Sequence, residues 1–304
     1  MKEVKLRSNQ TIFCIENDHI TKKIEKDGVY EVHLFSFLKK LLSQNNDFVC
    51  LDIGANIGVV TLTMSMYAKH VIAFEPIKSL YSMIKKTLDA NQISNCEVLN
   101  IGLSSKKEKS RIYINTSGNI GSSTLSKEHS SRDNSNSFAE SELIDLDVGD
   151  ENILLQSLNS IDLIKIDVEG HESDVVIGLR KLIKKHSPIM ILEWNNSETK
   201  SRFAKEENLK DIFKIYHPYI ITNNKMLFRQ KTQKNFFRSF MRIMYNITNK
   251  TTFLENPILK DSFEYNGHYS SVAFVPKSKK HLIKDFEIIS SVSYTHLRAH
   301  ETPV

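Results

Sequence analysis

Five ionisable side chains crowd one short stretch of the chain, LIKIDVEGHE at residues 163–172: Lys165, Asp167, Glu169, His171 and Glu172. Alternation along an apolar strand sends Lys165 and Asp167 to the same side, and ligands of parallel α/β sheets bind beyond the carboxyl ends of such strands. Charges gathered there are costly unless they are solvated, paired or used. The chemistry on offer is proton transfer, with Asp167, Glu169 and His171 as candidate general bases in that order of preference. Asp167 and Glu169 could instead hold Mg²⁺, a hard cation that takes carboxylate and water ligands and acidifies a bound hydroxyl. Two carboxylates do not make a metal site, so the reading without metal is favoured. Glu172 is accounted for as a negative charge at a helix N-terminus; Asp167, at the end of an apolar strand, is not. Gly170 permits a sharp exit into the next helix.

A second stretch, VCLDIGANIG at residues 49–58, runs from an apolar strand through Asp52 into a turn that contains Gly54 and Gly58. A dinucleotide fingerprint starting at Gly54 requires glycines at positions 56 and 59 as well, and the chain has Asn56 and Val59. The missing middle glycine is the one that admits a pyrophosphate. The turn therefore suits an adenosine-containing ligand without one, and S-adenosylmethionine fits that description. Glu75, in AFEP at residues 73–76, lies at the end of the next strand. It stands about 20 residues past the glycine turn, the spacing at which an acid accepts hydrogen bonds from ribose hydroxyls.

The elements that must position these groups follow from the apolar pattern. The chain has 304 residues, 40% hydrophobic and 25% charged, which excludes wholesale disorder and a fibrous architecture. From Phe48 onward, short apolar runs at 48–53, 70–74, 96–101, 161–167 and 189–194 read as strands alternating with helices, the pattern of a doubly wound parallel sheet. One helix follows Glu75, with Pro76 in its first turn and Ile77, Leu80, Tyr81, Ile84 and Leu88 as its apolar stripe. Another spans 172–185 with Gly178 inside it, where it permits close packing. Residues 1–47 form a strand and helix lead-in whose Leu34, Phe35, Leu38, Leu41 and Leu42 repeat at helical spacing and pack on the core. The core is expected at 48–230. Residues 115–137, rich in serine, read as a mobile loop within it. A helix at 198–208 and antiparallel strands at 212–228 and 269–275 are expected toward the C-terminus.

Residues 231–290 are expected to hold a basic amphipathic helix at 231–246 and a closing strand. Packing of that helix on the sheet is favoured over a docking role or peripheral contact with a membrane. Residues 291–304, SVSYTHLRAHETPV, differ in composition from the rest and are expected to be non-native, translated adapter sequence. The net charge of +5 does not call for a nucleic-acid partner. Cys14, Cys50 and Cys96, an odd number far apart, fit a reducing compartment. No apolar run approaches the roughly 18 residues of a membrane span, and the first residues lack a secretory h-region, so a cytoplasmic location is expected.

DIGANIG (52–58), FEP (74–76), SSTL (122–125) and IKIDVEGHE (164–172), in this order, resemble the FkbM family of S-adenosylmethionine-dependent methyltransferases over about residues 48–194. The resemblance implies a class I methyltransferase fold, Rossmann-like and doubly wound, with a mostly parallel seven-stranded sheet and one antiparallel strand near its edge. It implies O-methylation of a hydroxyl on a sugar, glycan or natural product, with S-adenosyl-L-methionine as methyl donor. Asp52, Gly54, Ala55, Asn56 and Gly58 would line the methionine and sugar portions of the donor, Glu75 its ribose, and Asn100 and Gly102 its adenine edge. Gly102 departs from the alanine common there, and residues 143–160 are longer and more acidic than expected. Acceptor contacts are expected from the serine-rich loop and from the region after Trp194. The alternative, a non-catalytic scaffold of the same fold, is disfavoured by intact Asp52, Glu75 and Asp167. A nicotinamide-dependent oxidoreductase is disfavoured by the failed fingerprint.

Overall fold

The computed structural model describes residues 1–125, 140–195, 197–206, 209, 214–223, 226 and 256–290. The expected helix at 231–246, the tail at 291–304 and the 126–137 part of the serine-rich loop lie outside the described residues. The N-terminal segment forms a hairpin of β1 (Lys2–Lys5) and β2 (Thr11–Cys14), followed by α1 (His19–Asp27) and α2 (Val32–Leu42). Asp18 caps α1 by accepting from the Ile20 N–H, and Gly28 ends it in the left-handed region, as helix boundaries require. Helix α1 was not legible in the sequence, because HITKKIEKD buries only Ile20, Thr21 and Ile24.

The core then alternates: β3 (Val49–Ile53), α3 (Val59–Ser65), β4 (His70–Phe74), α4 (Lys78–Ala90) and β5 (Cys96–Leu99). A small three-stranded sheet follows, built from β6 (Gly102–Ser104), β7 (Glu108–Ile114) and β8 (Glu140–Val148) in the order β6-β8-β7. It was not expected. Ile144 and Leu146 of β8 are buried while Leu143 is exposed, the alternation of a half-buried strand. After the short α5 (Ile153–Gln156) come β9 (Leu163–Ile166), α6 (Glu172–Gly178), α7 (Arg180–His186), β10 (Ile189–Trp194) and α8 (Ser197–Lys205). The single helix expected at 172–185 is thus broken at Leu179. Gly178 does permit close packing, since a Cβ there would lie 2.0 Å from the Ser104 carbonyl oxygen.

The chain closes with β11 (Tyr216–Asn223), β12 (Pro257–Asp261), β13 (Tyr269–Pro276) and β14 (Glu287–Ser290). The main sheet runs β14-β12-β11-β13-β10-β9-β3-β4-β5. It has nine strands, which corrects the expected seven. The seven from β11 to β5 do form the expected arrangement, parallel except for β13, which is antiparallel to both β10 and β11. Strands β12 and β14 cover the open edge of β11, where unpaired backbone groups would otherwise face outward. Their short sequences, PILKD and EIIS, carry too little pattern to read.

From β3 the chain steps outward to β4 and β5 and later returns to β9 on the other side of β3. That reversal opens a crevice beyond the carboxyl ends of β3 and β9, where doubly wound sheets bind ligands. One apolar layer, with Val175, Val176 and Leu179, covers one sheet face, and another, with Phe37, Leu38 and Leu41 of α2, covers the other. The lead-in therefore packs on the core. Cys14, Cys50 and Cys96 are all free thiols. Among the described residues no helix is long and apolar enough to cross a membrane.

Candidate active site

Gly54 is the first residue beyond β3 and adopts φ +77°, and a Cβ on it would stand 1.9 Å from the Asp167 carbonyl oxygen. The glycine is required by the backbone of β9's exit, which crosses here, with the Asp167 N–H donating to the Ile53 carbonyl at 3.1 Å. The N–H groups of Gly54 and Ala55 both donate to the Phe74 carbonyl, at 3.0 and 3.1 Å. Three strand ends are thereby joined. Gly58 adopts φ +87°, and a Cβ on it would stand 3.1 Å from the Ile84 side chain. Asn56 is also left-handed, at φ 55°, and its N–H donates to Glu75 Oε2 at 2.8 Å, while Ile77 N–H donates to Oε1 at 2.9 Å. Burial pushes Glu75 up to about 7 although two N–H groups favour its charged form.

Helix α4 begins at Lys78 with Ile77 as its cap residue, so Pro76 lies before the first turn and the Glu75 carboxylate satisfies the Ile77 N–H. Two cavities adjoin at this crossing. The first is largely apolar and is bounded by Ile77, Leu80, Leu103 and Leu146, with Glu75 and Asn56 among its polar groups. The second is polar and is bounded by Tyr30, Glu31, Lys165 and Glu193. Asp167 and Glu169 line both. Asn56 lines both as well, and its buried Oδ1 has no hydrogen-bond partner among the described residues.

Lys165 Nζ is buried 3.2 Å from Asp167 Oδ2, 3.8 Å from Asp52 Oδ1 and 3.3 Å from the Gly54 carbonyl oxygen. Burial opposes its charge, but the carboxylates of Asp167 and Asp52 outweigh burial and hold the ammonium above its ordinary value. Asp52, fully buried, accepts from Thr61 Oγ1 at 2.6 Å. Burial raises it despite Lys165 and Thr61. It lines neither cavity and sits behind Lys165 as its counter-ion, so the structure does not bring it to the place expected for it. Asn100 also lies outside. Its side-chain amide donates to the carbonyls of Glu75 and Pro76. Gly102 lines the apolar cavity, Ala55 lines the polar one, and Gly58 shapes the turn without lining either.

Asp167, Glu169 and Glu193 each bring a carboxylate oxygen to within 4.8 Å of the others. Glu169 reaches this group from a left-handed backbone, φ 51°, followed by Gly170 at φ 101°. A non-glycine residue in that region costs about 1–2 kcal/mol, and such strain collects at functional sites. Burial, then Asp167 and Glu172, raises Glu169 well above the usual carboxylate range. Glu172 braces the turn: Oε1 accepts from Val168 N–H at 3.2 Å and Gly170 N–H at 3.1 Å, and Oε2 from Thr199 Oγ1 at 2.6 Å. His171 faces the apolar cavity, with Nε2 2.9 Å from Ser104 Oγ and Nδ1 3.4 Å from Asp174 Oδ2.

The SSTL segment closes over the same turn, with Thr124 Oγ1 donating to the Glu169 carbonyl at 3.2 Å. The residues just before it are tied to α1, because Ile120 N–H donates to Asp18 Oδ2 and His19 N–H to the Gly118 carbonyl. Sequence reasoning missed Glu193, Tyr30 and Glu31. The signal for Glu193 was present: like Asp167, it is a carboxylate at the end of an apolar strand, IMILEW. Tyr30 and Glu31 left no such signal.

A family model described as the methyltransferase FkbM domain matches residues 52–229. Two fungal proteins are each 28% identical to the chain. Methyltransferase 1 of Beauveria bassiana (strain ARSEF 2860) aligns over 180 residues, 54% of this chain and 68% of that protein. Methyltransferase sdnD of Sordaria araneosa aligns over 205 residues, 57% and 72%. Among solved structures, the methyltransferase FkbM of Methylobacillus flagellatus KT superposes at a TM-score of 0.40 and 16% identity, over 75% of this chain and 44% of that one. The matched region holds the glycine turn, Glu75, the Asp167 turn and Glu193, and it covers more than half of the chain: this protein belongs to the FkbM family of S-adenosylmethionine-dependent methyltransferases.

Proposed function

We propose that the chain is an O-methyltransferase whose acceptor hydroxyl, on a sugar or glycan, enters the polar cavity and gives up its proton to Asp167. The observation that carries this reading is the position of Asp167 at the junction of the two cavities, 3.2 Å from a buried lysine. The apolar cavity fits the donor. Its aliphatic walls suit an adenine, the Glu75 carboxylate suits ribose hydroxyls, and the orphaned Asn56 Oδ1 offers an acceptor to a donor group of the ligand. S-adenosylmethionine, when bound, supplies a methyl group on a sulfonium, a carbon already activated toward in-line displacement.

The protein's own task is to position the acceptor and to handle a proton. Lys165 Nζ, 3.2 Å from Asp167 Oδ2, holds the carboxylate in place, where it can take the hydroxyl proton as the acceptor oxygen gains its methyl group. Tyr30 and Glu31 bound the polar side, where hydrogen-bonding walls favour a polyhydroxylated acceptor over an apolar one. The test is methyl transfer from labelled S-adenosylmethionine to a panel of free sugars, glycans and hydroxylated natural products. An O-methyl ether on a sugar or glycan, identified by mass spectrometry, is the expected product; N- or C-methylation would contradict it. Because Asp167 itself takes the proton, turnover is expected to be unchanged after EDTA, and its loss with recovery on adding Mg²⁺ would reverse this part of the reading.

A further inference from the structure

Glu193 has no part in the proton transfer just described, yet its carboxyl group faces the base. In the parallel register, Lys165 pairs with Ile191 and Ile166 with Leu192, so one step further places Asp167 beside Glu193. Trp194 pins this strand end from the opposite side: its buried indole donates to the Tyr265 carbonyl at 2.9 Å and packs against Phe203 and Phe263. We infer that Glu193 is a positioning residue for Asp167, held in its protonated form so that its O–H donates to the Asp167 carboxylate and fixes that group toward the polar cavity.

Asp167 and Glu169 face Glu193 from the turn after β9, Glu172 from α6, and Tyr30 from the N-terminal segment. Glu31 adds a further carboxylate beside Asp167. The nearby cation, Lys165, is committed to Asp167 and Asp52. Carboxylates this close in a low-dielectric site do not all ionise. One ammonium cannot offset so many carboxylates, and the proton falls to Glu193, which burial and then Asp167 and Glu169 drive far above the ordinary carboxylate range. A protonated carboxyl is a donor, which an ionised one is not. The Asn195 amide, which donates to Glu193 Oε1, leaves the other oxygen for the O–H.

This inference rests on Asp167 being the base, and its test separates the two. ¹³C carboxyl NMR is recorded on the full-length protein, Glu-labelled and saturated with S-adenosylhomocysteine, with the Glu193 signal assigned by its loss in Glu193→Gln. Glu193 is expected to remain protonated at pH 7. In Asp167→Asn its midpoint should fall by about one pH unit or more, as for any strongly interacting pair. Glu193→Gln, which keeps a neutral donor, should retain kcat within about threefold. Glu193→Ala should lose about 10- to 100-fold in kcat, the rate equivalent of one charge-assisted hydrogen bond, with donor affinity unchanged. A Glu193 that titrates in the ordinary carboxylate range, or a Gln variant as impaired as the Ala variant, overturns the inference and leaves the base untouched. Full activity in Asp167→Asn overturns the reading on which it rests.

Discussion

Glu31, Asn56 and Glu169 share an uncommon property at one cavity: all three are non-glycine residues with positive φ, at 48°, 55° and 51°. Glu31 starts α2 without capping it by a side-chain hydrogen bond, so its carboxylate gives the helix little and faces the site instead. Burial, reinforced by Asp167 and opposed by Lys165, pushes Glu31 up to about 7. A raised carboxyl pKa means that the folded state binds more protons than the unfolded one, so the stability linked to this group is present below about pH 4.5 and is lost as pH rises to about 7. Glu31→Gln should therefore become more stable relative to the parent protein across that window, by about 3 kcal/mol. Urea titrations at pH 4.5 and pH 8 would show it, and parallel pH curves for the two proteins would count against it. Of the site residues, Asp167, Glu75 and Gly54 were legible because each interrupts an apolar run at a spacing with a known use. Glu31 was not, because only the fold brings residue 31 to residue 167.

At the scale of elements, close contacts divide the glycines by what a methyl group would meet. At Gly178 of α6 a Cβ would lie 2.0 Å from the backbone oxygen of Ser104 in β6, and neither element can yield. Gly178→Ala should destabilise by about 3 kcal/mol, within the range of overpacking. At Gly102 the nearest atom is the end of the Leu146 side chain, 2.6 Å away, which can rotate. Gly102→Ala should stay within about 1 kcal/mol of the parent protein. Chemical denaturation of both variants checks the contrast, and equal losses would show that the two helix and strand contacts are not as different as their partners imply. The five parallel strands were legible as near-continuous apolar runs. The small sheet was hidden because EKSRIYI and ESELIDLDV expose about half their residues and flank a serine-rich stretch. The break at Leu179 was hidden because the apolar stripe continues across it.

For the whole molecule, the region matched by the family model starts at residue 52, whereas His19, Tyr30 and Glu31 of the polar cavity lie before it. On the proposed reading, the donor side of the crevice belongs to the shared core and part of the acceptor side to the N-terminal segment, which is held through Asp18 and residues 118–120. That division is why the sequence motifs identified the donor chemistry and left the acceptor open. It also makes the central claim separable, since Asp167 should matter to the proton and hardly at all to donor binding. The direct measurement pairs calorimetric titration of S-adenosylmethionine with the methyl-transfer rate for Asp167→Asn. The account predicts a donor Kd within about threefold of the parent protein and a rate lower by about 10²- to 10⁴-fold, the usual contribution of a general base. A variant that transfers methyl at the parent rate, or that loses the donor together with the rate, would contradict it.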